Sequence, residues 1–275
     1  ISDCEGNYLN LSTYEIEIPD LPLIGDIMIN ELLYDPYTSG SEFIEFYNKS
    51  SKSLNLTNCT LRTLDENAEV LREMSIKELL EIKPFEFLVF AKDSNNIINF
   101  YPKSRQEAII QNSKLPPFNN NSGRIQFVDS SENLLDDFTY NDDMHNILLE
   151  NHKGVSLERI SYDVNSSYSE NWTSASHNSG FASPGFQNSQ FQNNGLNHGE
   201  LNIYPTMISP DGDGFKDHMI ISINNNDPTL SALIEIYDIN GRKIREIAHN
   251  SNLGARNEFI WDGFDEQGSK VGIGN

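Results

Sequence analysis

The sequence predicts an all-β chain of two β-sandwiches in tandem, and three observations predict it. Short runs rich in Ile, Phe and Tyr recur between clusters of turn formers. The runs at 27–33 and 42–47 show this best, joined by a loop carrying Asp35, Pro36, Ser39 and Gly40. At 275 residues the chain is long enough for two units that each bury a core. An Asn/Gly-rich stretch at 191–200, FQNNGLNHGE, divides them.

Before the opening pair, residues 1–22 end in the alternating YEIEIP, a strand signature at 14–18, with Pro19 and Pro22 leading on. After it, Leu54, Leu56, Cys59 and Leu61 mark a short strand. Ile76, Leu79 and Leu80 fall at helical spacing and predict a turn or more of helix in 74–80. A turn at Lys83 and Pro84 precedes a strand at 85–90, which Asp93 closes, and 95–102 continues as a short helix or loop. The turn NNNSG at 119–123 opens a hairpin with strands at 124–128 and 134–140. A strand GVSLERI at 154–160 and a loop-rich closure at 171–190 follow. Beyond the divide, strands alternate with tight turns at Asn240–Gly241, Asp262–Gly263 and Gln267–Gly268. No internal repeat of about 20–50 residues is apparent.

Against 19 basic side chains stand 41 acidic ones, a formal net charge of −22. Such a surface repels phosphate backbones and anionic membranes, which argues against nucleic acid as a partner. It attracts cations, Ca²⁺ included, while solubility explains the same charge with no ligand at all. No run of 18 apolar residues exists, so no membrane span is expected. The opening ISDCEGNYLN has neither the basic end nor the apolar block of a signal peptide, and Ile1 reads as a point within a longer chain. Two cysteines make no disulfide framework. Cys59 shares the alternation phase of Leu61 and is expected as a buried free thiol; Cys4 is either free or paired with something upstream.

Several ordered motifs carry a family resemblance. Ile29-Asn30-Glu31-Leu32 followed by EFIEFYN at 42–48 resembles the opening of the lamin-tail domain, an immunoglobulin-like β-sandwich. LPPFNNNSG, LLDDFTY, GVSLERIS, NWTSA and GFASPGFQNSQ follow in the order found in lamin-tail domains of Bacteroidetes secreted proteins, over roughly residues 25–190. The DCEGN at 3–7 is similar to the last turn of an immunoglobulin-like repeat. Further on, SPDGDGFKD, YDINGRKIR and WDGFDEQGSKVGIG resemble the immunoglobulin-like domain of flagellar hook-capping proteins. That family runs on into a last strand where this sequence stops, so the gene product is expected to continue, with any type IX export signal in the continuation. The resemblance implies residues 1–22 as the closing strand of an upstream domain and a linker. It implies 23–190 as a lamin-tail-like sandwich, 191–199 as a linker and 200–275 as a second immunoglobulin-like domain.

The sharpest chemical signal is Asp211-Gly-Asp213-Gly-Phe-Lys-Asp217. Acids at positions 1, 3 and 7, with glycines that permit a tight curl, are able to gather around Ca²⁺, and Asp265 of a later turn is a further candidate ligand. The twelfth position is Ser222 rather than Glu, so this is no EF-hand, and the same residues also cap backbone amides in metal-free turns. Among the acids of the opening pair, Glu31, Asp35, Glu42 and Glu45, a catalytic carboxylate pair is conceivable. Hydrogen bonding of Glu31 and Glu45 to backbone or to a partner such as Arg62 is the stronger expectation. Six scattered histidines form no metal spacing, and His145 reads as structural. Nucleophile elbow, Walker loop and dinucleotide fingerprint are all absent. Trp172 and Trp261 read as core anchors rather than glycan platforms.

The expectation is therefore a non-enzymatic extracellular module of a bacterial surface or secreted protein, serving as stalk, adhesin or docking element for envelope proteins. The alternative is a polysaccharide-binding accessory region of a large secreted hydrolase. A nucleic-acid role, by literal analogy to lamin tails, is opposed by the net charge.

Overall fold

The computed structural model describes residues 18–147, 149, 151–192, 200–212, 215–225, 227 and 229–272. The strand expected at 14–18 lies almost entirely outside the described residues, as does Cys4. In chain order the elements are β1 (Ile27–Leu33), β2 (Phe43–Asn48), β3 (Leu54–Asn55), β4 (Thr60–Leu64), β5 (Val70–Ser75) and β6 (Glu81–Ile82). Next come β7 (Phe87–Ala91), helix α1 (Ser94–Phe100), β8 (Ile109–Gln111), β9 (Ser122–Val128), β10 (Leu134–Asn141), β11 (Leu157–Arg159) and β12 (Trp172–Ser174). The C-terminal strands are β13 (Glu200–Tyr204), β14 (Met219–Asn224), β15 (Ser231–Tyr237), β16 (Lys243–Asn252) and β17 (Arg256–Trp261).

The chain is all-β, as its alternating runs predict. A six-stranded sheet in the order β12-β11-β1-β2-β7-β8 faces a four-stranded sheet ordered β10-β9-β4-β5. Only the β7–β8 pairing within them is parallel. Ile29, Leu32, Ile44, Phe46 and Phe90 of the first sheet meet Leu61, Ile125, Phe127 and Phe138 of the second in one buried core. Rings interlock across it: Phe46 and Phe127 lie 4.5 Å apart, centroid to centroid, and Phe138 stacks on Trp172 at 3.8 Å. Cys59 is a free thiol buried in this core, and burial pushes it up to about 12.

Several local outcomes differ from the sequence expectation. The one short strand expected across Leu54, Leu56, Cys59 and Leu61 is two, β3 paired with β6 and β4 paired with β5 and β9, and the strand expected at 85–90 is β7, from Phe87 to Ala91. No helix forms over 74–80: Met74 and Ser75 end β5, paired with Leu61 and Thr60 of β4, and Leu79 points to solvent. A few residues of apolar spacing carry little free energy beside a completed ladder and a buried Met74. The strand expected over 154–160 is limited to β11, because only Leu157–Arg159 find partners on β12.

The six-stranded sheet is covered on both faces, and this decides the character of the molecule. Every residue of β1 and β2 is buried. On the outer face Leu33, Phe43 and Val89 pack against Ile97 of α1, Tyr101 and Ala182. Asp93 caps α1 by accepting from the Asn96 amide. Between Ile29 and Glu31 the register of β1 on β2 shifts, leaving Asn30 as a bulge. The bulge resets the phase, so Ile29 and Leu32 both join the inner core while Leu33 joins the outer cluster.

Among the C-terminal strands, β13-β14-β17 form one sheet and β15-β16 another. Ile221, Ala232, Ala248, Leu253 and Phe259 make a separate small core.

Candidate functional site

With the phase reset at Asn30, Glu31 sits opposite Glu45 on one side and Glu158 on the other. Three adjacent strands thus carry three glutamates in one row, each wholly buried. Among the described residues no cationic side chain pairs with any of them. Burial pushes Glu45 up to about 8. It raises Glu31 well above the usual carboxylate range, where the Glu158 and Glu45 charges add to it, and raises Glu158 as well.

The row is roofed by residues 181–190, a strap rich in small and amide-bearing side chains. Glu31 accepts from Ser156 Oγ at 2.5 Å and from the Ser183 amide at 2.8 Å. Glu45 accepts from the Gly185 amide at 2.6 Å and from Asn30 Nδ2 at 2.7 Å. Glu158 accepts from Ser183 Oγ and Ser189 Oγ, both at 2.7 Å, and from the Gln190 amide at 2.9 Å. Asn188 pins the strap by donating to the carbonyls of Asn30 and Arg159. Gly185 has a positive φ of 85° and a Cβ there would stand 2.6 Å from Arg105 Cβ, so both conformation and space call for glycine.

The far end of the strap carries the C-terminal strands. Ser189 accepts the Ala255 amide through its carbonyl at 2.9 Å, and Gln190 Nε2 donates to the carbonyls of Leu253 and Ser174. Asn252 Nδ2 donates to the carbonyls of Ser174 and Ala175, while Asn252 Oδ1 accepts from Asn146. The corner from Asn252 to Ala255 is buried.

The two-sheet core, the bulged β1 and its pairing with β2 lie within the stretch that comparison with known families picks out. Residues 22–142 match the model of the Lamin Tail Domain family. No curated protein matches the chain. The lamin-tail match ends before β11, yet β11 and β12 complete the sheet that β1 begins. Glu31 and Glu45 lie within the matched residues, whereas Glu158, the strap and the Asn252 corner lie beyond them. The immunoglobulin-like β-sandwich of the matched family is compatible with a non-catalytic protein-interaction module.

The site residues predicted from sequence lie elsewhere. Asp217 Oδ1 accepts the amides of Asp211 and Gly212 at 3.1 and 2.8 Å. Asp265 Oδ1 accepts the amides of Gln267 and Ser269 in its own turn. Asp213 lies outside the described residues. Among the described residues no group of three or more acidic, His or Cys side chains is arranged to hold a metal. In the lamin-tail region, Glu31 and Glu45 do bond to backbone, but Arg62 is not their partner. It faces away with the second sheet and pairs with Glu73 and Glu132. Asp35 and Glu42 pair with Lys153 and Lys92 beside a polar cleft of about 420 Å³. A second cleft of about 530 Å³ has Met28, Leu134, Arg124 and Tyr162 along its walls.

His145 is buried beside Asn146, the partner of Asn252, with Nδ1 2.7 Å from Ser174 Oγ and its ring stacked on His152 at 4.7 Å. Burial, helped by His152, holds it down at about 3. Trp172 is buried in the core, and Trp261 donates to the Phe264 carbonyl from a half-buried position. Sequence reasoning missed Glu158 and the strap. The signals were there: an acid in the middle of the apolar run VSLERI, and a run SPGFQNSQ dense in hydrogen-bond donors.

Proposed function

We propose that the chain is a non-catalytic extracellular module of a bacterial cell-surface or secreted protein. In it a lamin-tail sandwich over 23–190 and a hook-capping-type immunoglobulin-like domain over 200–275 serve as a stiff docking or adhesion element for envelope proteins, on a protein exported by the type IX route. The observation that carries this reading is the buried corner at Asn252–Ala255, bonded through main chain and amide side chains to Ser174, Ala175, Ser189 and Gln190. Two β-domains seated this way transmit orientation and load rather than swivel, which is what a stalk or docking element needs. Three of the most deeply buried carboxyls hold the protein's own strap, so they support architecture rather than turnover. Strands β5 and β13 end their sheets with exposed Val70, Leu71, Leu201 and Ile203, and a partner strand would add there. No described helix is long and apolar enough to cross a membrane.

The test is cross-linking mass spectrometry on intact cells of the source organism with the full-length protein as bait. One dominant envelope partner, linked near β5 or β13, is the expected result. Links confined to the protein itself would remove the docking role.

A further inference from the structure

We propose that Glu31, Glu45 and Glu158 form a proton-controlled latch. Holding protons, the row keeps the 181–190 strap, and through it the C-terminal strands, seated on the sandwich; on yielding them to solvent it lets both go. The inference goes beyond the docking role and stands on the junction's geometry whatever partner the module meets.

The hydrogen bonds themselves demand a proton in the row. Ser183 Oγ lies 2.7 Å from Glu158 Oε1 and 3.2 Å from Glu31 Oε2, but a hydroxyl has one proton to give. Whichever carboxyl it does not serve must return a proton to it. Ser156 Oγ makes no such demand: its one proton serves Glu31 Oε1 at 2.5 Å, while the Phe181 carbonyl, 3.3 Å away, already accepts the Ser156 amide at 3.0 Å. With both carboxyls ionised, unscreened charges in adjacent strands would face oxygens that have no proton left to offer. The cheapest relief is to lift the strap and admit water. Gln190 Oε1, buried with no hydrogen-bond partner among the described residues, gains by the same movement.

The line from acid to interface is short. Glu158 holds Ser189 Oγ and the Gln190 amide; the Ser189 carbonyl holds Ala255 and the Gln190 side chain holds Leu253. Losing the first pair of bonds frees the residues that make the second.

Other titratable groups around the row do not control it. The strap from Phe181 to Gln190 contains none. On β11, Arg159 turns to the Ile29 carbonyl and Asp136. Arg105, against Pro184 and Gly185, pairs with Glu86 at 3.6 Å. Tyr101 donates to the Gly154 carbonyl, and burial pushes both it and Tyr162 upward, away from neutral pH. His177 meets the Phe181 ring at the strap's first residue but is exposed.

Each carboxyl binds its proton more tightly folded than unfolded. The latch is therefore fully held below the ordinary glutamate range and is lost as pH rises through the folded-state value, about 8 for Glu45. Hydrogen exchange on the full chain from pH 5 to 9, corrected for intrinsic base catalysis, tests this. Protection at Gly185, Gln190 and Ala255 is expected to fall together, by about tenfold per pH unit for each proton released, while Phe127 in the core keeps its protection. Glu31→Gln keeps the acceptor for Ser156 and the Ser183 amide and presents an NH₂ to Ser183 Oγ, so it should retain at least about tenfold more protection at pH 9. Glu158→Gln, which keeps the acceptor for Ser189 Oγ and the Gln190 amide and presents an NH₂ to Ser183 Oγ, is the second variant if the first does not fold. Protection independent of pH, variants that follow the wild type, or release of the strap with Ala255 still protected would each overturn the latch.

Discussion

Arg159 and Asp136 together stand in for a missing strand. Beyond Glu31 and Leu32, β1 has no partner on its β11 side. There Arg159 Nε donates to the Ile29 carbonyl at 2.8 Å, and Asp136 Oδ2 accepts the Ile29 amide at 2.8 Å. The two side chains meet at 3.1 Å, and Ser166 Oγ bonds to both. The ion pair, contributed by different sheets, thereby satisfies a strand edge that would otherwise be buried with open backbone groups.

Arg159→Met should accordingly lose about 3–5 kcal/mol, since it leaves Asp136 charged and nearly buried. The double variant Arg159→Met/Asp136→Leu should not recover, because the amide and carbonyl of Ile29 stay unpaired at about 1–3 kcal/mol each. Urea unfolding followed by Trp172 fluorescence reads both, with the guanidinium 5.0 Å from that ring. Full recovery in the double variant would show that Ile29 finds other partners.

Gly254 is where the corner touches the strap. A Cβ there would stand 2.6 Å from the Ser189 carbonyl oxygen, which is backbone and cannot rotate away. Gly254→Ala should cost about 1–3 kcal/mol at the junction and enlarge the particle in small-angle scattering while the sandwich stays folded. Gly272→Ala, where no atom of the described residues lies within 4 Å, serves as the control and should be silent to within about 0.5 kcal/mol.

His145 sets the acid side of stability. It is buried neutral and held at about 3, so its folded-state value lies below the unfolded one. Stability is then complete above the ordinary histidine range and is lost as pH falls from there toward about 3, by about 2 kcal/mol at pH 5. His145→Phe keeps a ring against His152 and Tyr34 and should flatten this limb in urea midpoints measured from pH 7 to 4. An unchanged slope would assign the acid loss to other groups.

The calcium proposal for Asp211, Asp213, Asp217 and Asp265 predicts heat when the full chain is titrated with millimolar Ca²⁺, and loss of that heat in Asp217→Asn. Absence of heat would leave these acids as turn caps, the work Asp217 and Asp265 do for backbone amides.

By itself the sequence determined the all-β class, the span of β1 and the hairpin of β9 and β10. Each of these depends on alternation and turn residues that act within a few positions of the chain. Read by strict alternation, Ile27, Ile29, Glu31 and Leu33 share one face, and nothing local announces the bulge that separates them. Only pairing with β2 and β11 decides that Glu31 joins Glu45 and Glu158 on the outer face. That face would be solvated in an isolated sheet; it is buried because a strap some 150 residues along the chain closes over it. The same holds for Arg62, which pairs within its own sheet, and for Asn252, whose partners lie some 77 residues away. Contacts of that range depend on how sheets stack and loops return, and no periodicity in a single chain encodes them.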